Sequence, residues 1–183
     1  MPRSLLPPFT REGLLPPGDY PLTLEQLARS MLVLGPRPRP KGWDVAWRRH
    51  LVQQFEIPVR QLWQVGITEI FADGSLVTSK EHPGDIDGYF VCDKMEFATG
   101  RLQNRLRPLD PDPISPWNPW EYVPSLGKMR PLMWRKYHVE LFPHYAGLSS
   151  GIPDELGHPQ EFPAAFRKTR ITYRPKGIIR IIP

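Results

Sequence analysis

Cysteine and long apolar runs are almost absent from this sequence. Cys92 is the single cysteine, which excludes an internal disulfide and is typical of a reducing compartment. No apolar stretch approaches the roughly 20 residues that a membrane-spanning helix needs, and the N-terminal residues contain no hydrophobic region of the kind found in signal peptides. We therefore expect a cytoplasmic protein with no membrane partner.

Acidic residues are missing from the C-terminal segment. None occurs after Glu161, and the basic residues that follow it are Arg167, Lys168, Arg170, Arg174, Lys176 and Arg180. A second basic group nearer the N-terminus comprises Arg37, Arg39, Lys41, Arg48 and Arg49. Segments of this kind are typical of a solvated surface. They also suit an anionic partner such as RNA or a triphosphate, with an attraction that salt weakens.

Proline, in contrast, is abundant. The chain has 24 prolines in 183 residues, well above the usual level of about 5%, and many of them lie in loops and in the first 21 residues. Six tryptophans argue against disorder, because disordered chains are poor in aromatic residues. The length predicts one domain over residues 1–183, with residues 1–21 as an extended N-terminal arm and residues 162–183 as a basic C-terminal segment.

The hydrophobic pattern predicts a domain that mixes helices and strands. The clearest helix runs from Asp44 to Gln64, where apolar residues recur at steps of three and four. Thr23 and Gln26 form a capping-box pattern that opens a short helix. The other predicted elements are strands over residues 67–75, 85–93 and 135–145, a helix over 95–109, a long loop over 110–128 and an edge strand within 176–183. This order favours an α+β (mixed α/β) fold.

The stretch from Gly74 to Phe90 places two aspartates on one face of a predicted strand. Side chains alternate along a strand, so Asp85 and Asp87 point the same way, roughly 7 Å apart along it. Their mutual repulsion disfavours this arrangement unless a cation or hydrogen-bond donors offset it. One interpretation is a hairpin whose acids face water. The other is a site for Mg²⁺, which prefers carboxylate oxygens together with substrate phosphates and water.

Gly74 and Ser75, nine residues before the first aspartate, supply the parts of a phosphate-binding turn. Glycine permits a close approach of the backbone, and a backbone N–H together with the serine hydroxyl can hold a phosphate. Lys80 lies in the loop between the turn and the aspartates. It could neutralise the outer phosphates of a nucleotide as a point charge, or it could be a solvated loop lysine.

A third acid on another strand would complete a metal site, and Glu140 is the leading candidate. It is flanked by Val139 and Leu141, two apolar residues that would face the core. Glu121 and Asp93 are the competing acids. A Gly-Ser turn followed by an Asp-x-Asp pair and a later Glu provides the parts of a two-metal site for phosphoryl or nucleotidyl transfer, in which the three acids would be both metal ligands and catalytic residues.

These residues resemble the signature of the nucleotidyltransferase superfamily, which has the polymerase-β-like fold. That signature is Gly-Ser or Gly-Gly, then about nine to thirteen residues, then two aspartates separated by one apolar residue. Asp73 and Gly88 stand where apolar residues are commoner. The segments WDVAWRRHLV, QLWQVGITEIF, HVELFPHY and PKGIIRI extend the resemblance over most of the chain, to a family of small bacterial and phage proteins assigned to that fold.

The resemblance implies a small mixed sheet flanked by helices and a Mg²⁺-dependent enzyme, with Mn²⁺ as the alternative metal. It also implies an NTP substrate bound by Gly74, Ser75 and Lys80, and transfer of NMP to an RNA acceptor such as tRNA, as in toxin or phage-defence systems. Two alternatives share the fold: a protein-AMPylating enzyme, and a non-catalytic NTP- or RNA-binding or antitoxin-like protein with a cognate protein partner.

Overall fold

A five-stranded mixed sheet is the centre of the molecule. The computed structural model describes residues 5–110, 116–117, 120–123 and 128–183. The sheet has the order β1-β9-β2-β3-β6, and the pairs β4–β5 and β7–β8 form two separate two-stranded sheets. The strands are β1 (Asp19–Leu22), β2 (Ile70–Asp73), β3 (Ile86–Val91), β4 (Trp120–Val123), β5 (Lys128–Pro131), β6 (Val139–His144), β7 (Ser149–Pro153), β8 (Pro159–Glu161) and β9 (Ile178–Ile181).

Seven α-helices accompany the strands in the described residues. They are α1 (Leu24–Arg29), α2 (Met31–Leu34), α3 (Val45–Gln64), α4 (Lys94–Ala98), α5 (Arg101–Leu106), α6 (Leu132–Tyr137) and α7 (Phe162–Ala165). Two short 3₁₀ turns, Gly74–Val77 and Arg107–Leu109, follow β2 and α5. Among these described segments, no helix combines the length and the apolar character that crossing a membrane requires. The mixture of a sheet with helices confirms the predicted α+β class.

Helix α3 covers one face of the sheet, as the three- and four-residue spacing of its apolar residues predicts. Asp44 caps its N-terminus by accepting a hydrogen bond from the backbone N–H of Trp47 at 2.9 Å. The apolar stripe is buried and comprises Leu51, Val52, Phe55, Val59 and Leu62. The predicted capping box is also confirmed, because Thr23 and Gln26 bond to each other's backbone N–H at the start of α1.

The opposite face of the sheet carries the acids. Ile86 and Phe90 belong to the core cluster that includes α3, so the intervening Asp87 and Tyr89 face the other way. On that other face an aromatic layer packs against α7, and its members are Phe71, Tyr89, Phe142, Phe162 and Phe166. The alternation of β2, β3 and β6 therefore places one acid from each strand at the end of this aromatic layer.

Three predictions of local structure were wrong. Residues 135–137 belong to α6, because Met133 and Tyr137, four residues apart, are both buried on one helical face. Strand β9 is an interior strand, paired with β1 on one side and β2 on the other, and its three isoleucines are fully buried. The predicted 110–128 loop contains strand β4 and the first residue of β5; its residues 111–115, 118–119 and 124–127 lie outside the described chain.

The N-terminal arm completes the sheet. Its residues 5–18 lead into β1, which runs parallel to β9 and forms one edge of the sheet. Leu6 and Leu15 of the arm are buried in the core. The first four residues of the predicted arm are outside the described part of the chain. The arm is therefore a structural part of the domain from residue 5 onward.

Candidate functional site

Three acids meet where β2 ends and where β3 and β6 begin. Asp87 of β3 is in register with Asp73 of β2, its antiparallel neighbour, and with Glu140 of β6, its parallel neighbour. Asp85 lies just before β3. All four acids line a cleft of about 390 Å³, and the other lining residues are Gly74, Ser75, Thr78, Arg130, Ile152, Ala165, Phe166, Lys168, Thr169, Arg170 and Lys176. The structure thus brings together Asp85, Asp87, Glu140, Gly74 and Ser75, five of the six predicted site residues.

The carboxylate of Asp87 has no hydrogen-bond or ion-pair partner within the described part of the chain. Burial raises its pKa to about 6, and the negative charges of Asp85 and Asp73 add to this effect, while Arg170 and Lys176 oppose it. A buried carboxylate normally acquires donors or a counter-ion. Asp87 is half-buried, and the described part of the chain leaves its carboxylate unused as an acceptor.

Gly74 fits closely over Asp87. Its backbone has φ +73°, in the left-handed region, and a Cβ at this position would overlap Oδ2 of Asp87. Only glycine meets both conditions without strain. The 3₁₀ turn that starts here buries the hydroxyl of Ser75, which has no hydrogen-bond partner among the described residues. The turn therefore brings an unused hydroxyl into the same cleft as an unused carboxylate.

Asp85 and Glu140 share a counter-ion that the sequence did not indicate. Arg130, at the end of the β4–β5 hairpin, contacts Oδ2 of Asp85 at 3.3 Å and also forms an ion pair with Oε1 of Glu140. The guanidinium lies over the ring of Trp134 at 4.7 Å, and the indole Nε1 of Trp134 donates to the same oxygen of Asp85 at 2.9 Å. Two of the three predicted metal ligands are thus neutralised from within the chain.

Asp73 has its own cation. Lys176, which precedes β9, forms a buried ion pair with Oδ1 of Asp73. Burial raises the pKa of Asp73, and the charge and hydrogen bond of Lys176 offset part of that effect. This pair fixes the end of β2 to the start of β9, so Asp73 serves the fold.

Most of the basic C-terminal segment is paired with acids. Arg167 contacts Asp19 at 2.6 Å, Lys168 contacts Glu155 at 3.1 Å and Arg174 contacts Glu12 at 3.6 Å, in addition to the pair formed by Lys176. In the described structure Arg170 and Arg180 have no such partner. The segment therefore presents less free positive charge than its composition indicates.

Lys80 is not among the described residues that line the cleft, unlike the other predicted site residues. Its backbone carbonyl instead accepts a hydrogen bond from Arg48, which sequence reasoning had grouped with surface cations. Arg48 is fully buried, lies over the ring of Trp43 at 3.9 Å, and its pKa is lowered to about 10 by burial. Its guanidinium donates to the carbonyls of Leu32, Leu76, Thr78 and Lys80.

Arg48 therefore positions the segment that follows Ser75. It lies on the same face of α3 as Leu51, Val52 and Phe55, three, four and seven residues later, and this spacing is the signal that could have identified it as buried. Of the acids that competed with Glu140, Asp93 caps α4 by accepting from the N–H of Glu96, and the side chain of Glu121 is outside the described structure.

The donor set of the cleft fits Mg²⁺ in its chemistry. Asp85, Asp87 and Glu140 offer hard carboxylate oxygens, which this ion prefers, and no described residue is a partner of Asp87. The residues that the structure describes contain no group of three or more His, Cys, Asp or Glu side chains arranged to hold a metal ion. Because Arg130 contacts two of the three ligands, a metal ion would have to compete with this guanidinium for their oxygens.

Comparison with known proteins identifies the family of the chain. It belongs to a family of unknown function (DUF6932), whose sequence profile matches residues 7–182. No curated protein and no solved structure matches the chain. The function must therefore be argued from the cleft itself.

Proposed function

We propose that the protein is a Mg²⁺-dependent nucleotidyltransferase that transfers NMP from an NTP to an RNA acceptor such as tRNA. The observation that carries the proposal is the half-buried carboxylate of Asp87, which has no partner among the described residues, is in register with Glu140 and lines the same cleft as Ser75, whose hydroxyl is also unpartnered there. The resemblance to the nucleotidyltransferase signature supports the same reaction class.

Asp85, Asp87 and Glu140 would hold the metal. Bound Mg²⁺, or Mn²⁺, supplies positive charge that stabilises phosphoryl oxygens and lowers the pKa of an attacking hydroxyl. The half-buried position of Asp87 removes part of the hydration of its charge, which strengthens its attraction to a cation. The negative charges of Asp85 and Asp73 close to Asp87 also favour binding of a cation there.

The turn after β2 would hold the substrate phosphates. The hydroxyl of Ser75 donates a hydrogen bond to a phosphate oxygen, and Gly74 lets the backbone of the turn approach Asp87 closely. The acceptor hydroxyl oxygen then bonds to the α-phosphorus, and the bond from that phosphorus to the bridging oxygen breaks. Pyrophosphate leaves with the electron pair of that bond, and the hydroxyl proton passes to water.

The experiment is a labelling assay with wild-type protein, Asp87→Asn and the control Asp93→Asn. Each is incubated with α-³²P-labelled NTPs, Mg²⁺, and total cell RNA and protein. We expect wild type and Asp93→Asn to label an RNA band, because Asp93 only caps α4 and asparagine is an equally good cap. The transfer activity of Asp87→Asn should be more than about 100-fold lower than that of wild type. Loss of a group that only supports a metal ligand already lowers metal affinity or activity by about 10–100-fold.

The outcomes separate the alternatives. Label on a protein band would show that the acceptor is a protein and not RNA, which would indicate AMPylation. Transfer by Asp87→Asn at the wild-type rate would overturn the metal assignment. A control melting curve should show that Asp87→Asn is at least as stable as wild type, because the substitution removes a half-buried charge that has no partner in the described structure.

A non-catalytic binding protein is the second candidate, and the ion pairs of Arg130 favour it. A guanidinium on Asp85 and Glu140 neutralises two carboxylates without any metal. This reading predicts NTP or RNA binding by calorimetry with no labelled product from any acceptor. It also allows an antitoxin-like role with a cognate protein partner.

A further inference from the structure

The turn between Lys168 and Pro175 forms part of the cleft wall and is held by its own hydrogen bonds. The backbone N–H of Thr169 donates to the carbonyl of Arg174 at 3.0 Å, and the N–H of Tyr173 donates to the carbonyl of Thr169 at 3.1 Å. The Thr169 hydroxyl also accepts from the N–H of Arg174 at 3.0 Å. The turn is therefore preformed, and the residue that follows Thr169 has a fixed place at the cleft.

That residue, Arg170, is a cation that pairs with no carboxylate of the described residues. Four basic residues line the cleft. Arg130, Lys168 and Lys176 each contact a carboxylate, whereas Arg170 contacts none in the described ranges. Its positive charge nevertheless acts on Asp87, because it opposes the rise in the pKa of that carboxyl group.

The balance of charge in the cleft shows what such a cation can do. Asp85 and Glu140 are offset by Arg130, and Asp73 is offset by Lys176. A polyphosphate entering a cleft with several carboxylates is repelled unless cations are free to meet it. A metal ion at Asp87 would bind one part of the polyphosphate. Among the described residues that line the cleft, Arg170 is the cation left to meet another part of the polyphosphate.

We propose that Arg170 binds the β- and γ-phosphates of the nucleotide, so that the turn from Lys168 to Pro175 selects triphosphates over monophosphates. The guanidinium presents paired N–H donors that match two oxygens of a phosphate. This assignment rests on the proposed transfer function and gives Arg170 the role that the sequence suggested for Lys80. The hydrogen bonds of Thr169 position Arg170 at the cleft.

The test is calorimetric binding to the full chain in Mg²⁺ with three probes: inorganic tripolyphosphate, α,β-methylene-ATP and AMP. Tripolyphosphate reports on the phosphates without any base preference. The variants are Arg170→Ala, Arg170→Lys and the matched control Arg180→Ala, an exposed arginine on β9 that does not line the cleft. We expect Arg170→Ala to bind tripolyphosphate and α,β-methylene-ATP about 10-fold or more weakly than wild type, because the loss of hydrogen bonds to a charged group usually has an effect of this size.

Arg170→Lys should retain part of the affinity, because it keeps the charge but loses the paired donors. AMP binding should be the same in all variants, and Arg180→Ala should match wild type throughout. The assignment is overturned if wild type does not bind tripolyphosphate. It is also overturned if Arg170→Ala binds tripolyphosphate as tightly as wild type does. The same holds if Arg170→Ala lowers the affinities for AMP and for α,β-methylene-ATP by equal factors.

This result is independent of the labelling assay. If tripolyphosphate binding depends on Arg170 but no labelled product forms, the role of Arg170 in a polyphosphate site stands and the transferase function is rejected. Label transfer that survives in Arg170→Ala, with unchanged triphosphate affinity, would keep the transferase and reject the role of Arg170.

Discussion

Asp73 and Asp87 are the same residue type and are paired across two neighbouring strands, yet their surroundings differ, because Asp73 is buried and Asp87 is half-buried. Asp73 is only 3% exposed and is paired with Lys176. Asp87 has no cation or donor in contact within the described residues, although Gly74 brings the backbone close to it. The first acid is satisfied by the fold. The second retains its binding capacity for a group from outside the chain.

The difference shows how a fold can hold several acids in one place. Lys176 forms an ion pair with Asp73. Arg130 forms ion pairs with Asp85 and Glu140, the two acids of the predicted metal site other than Asp87. Like charges this close would otherwise repel. The internal cations therefore allow the cleft to be acidic without unfolding the strand ends. Three experiments test the contrast between Asp73 and Asp87.

The largest effect on stability is expected from removal of Lys176. Lys176→Met leaves Asp73 as an uncompensated buried charge, which should lower the free energy of unfolding by about 3–5 kcal/mol. Urea unfolding monitored by tryptophan fluorescence measures this loss. The double variant Asp73→Asn with Lys176→Met should recover much of it. A loss below about 1 kcal/mol in the single variant would show that Asp73 does not depend on its cation.

The next effect concerns pH. The folded pKa of Asp87 is about 6, above its ordinary value of 3.8, so the folded state holds a proton that the unfolded state has released between these values. Stability should therefore fall as pH rises from about 4 through 6, by roughly 3 kcal/mol in total. Urea unfolding in EDTA, compared between wild type and Asp87→Asn, isolates this contribution. Parallel pH profiles for the two proteins would contradict it.

The smallest effect is expected from Arg130. Arg130→Gln removes the guanidinium that competes for Asp85 and Glu140, so Mg²⁺ and Mn²⁺ should bind more tightly, by up to about tenfold. Calorimetry measures the affinity. Arg60→Gln is the control, because Arg60 pairs with Glu56 on the exposed side of α3. Weaker metal binding in Arg130→Gln would mean that Arg130 orders the carboxylates and does not compete for them.

The sequence was sufficient for the features that depend on local periodicity. Helix α3, the capping box at Thr23 and the α+β class all follow from spacing within a short window. The convergence of Asp85, Asp87 and Glu140 could also be predicted, because alternation along a strand and an apolar setting define which face an acid takes.

The partners of these acids could not be predicted, because they come from distant parts of the chain. Lys176 is 103 residues from Asp73, and Arg130 is 45 residues from Asp85. Nothing local distinguishes Arg170, which has no internal partner in the described structure, from Arg167 and Arg174, which have one. Arg48 was missed for a different reason: an arginine within an apolar stripe was assigned to solvent by its type, although its helical position placed it in the core.

The insertion of β9 between β1 and β2 has a consequence for the order of assembly. This strand follows every other described element in the chain, and Lys176 and Arg170 lie just before it. A nascent chain that has emerged only as far as β6 already carries Asp73, Asp87 and Glu140, but it lacks the lysine and the free arginine. We expect the edge of β2 to stay unpaired until synthesis has passed β9, so that a prematurely terminated chain cannot assemble the cleft.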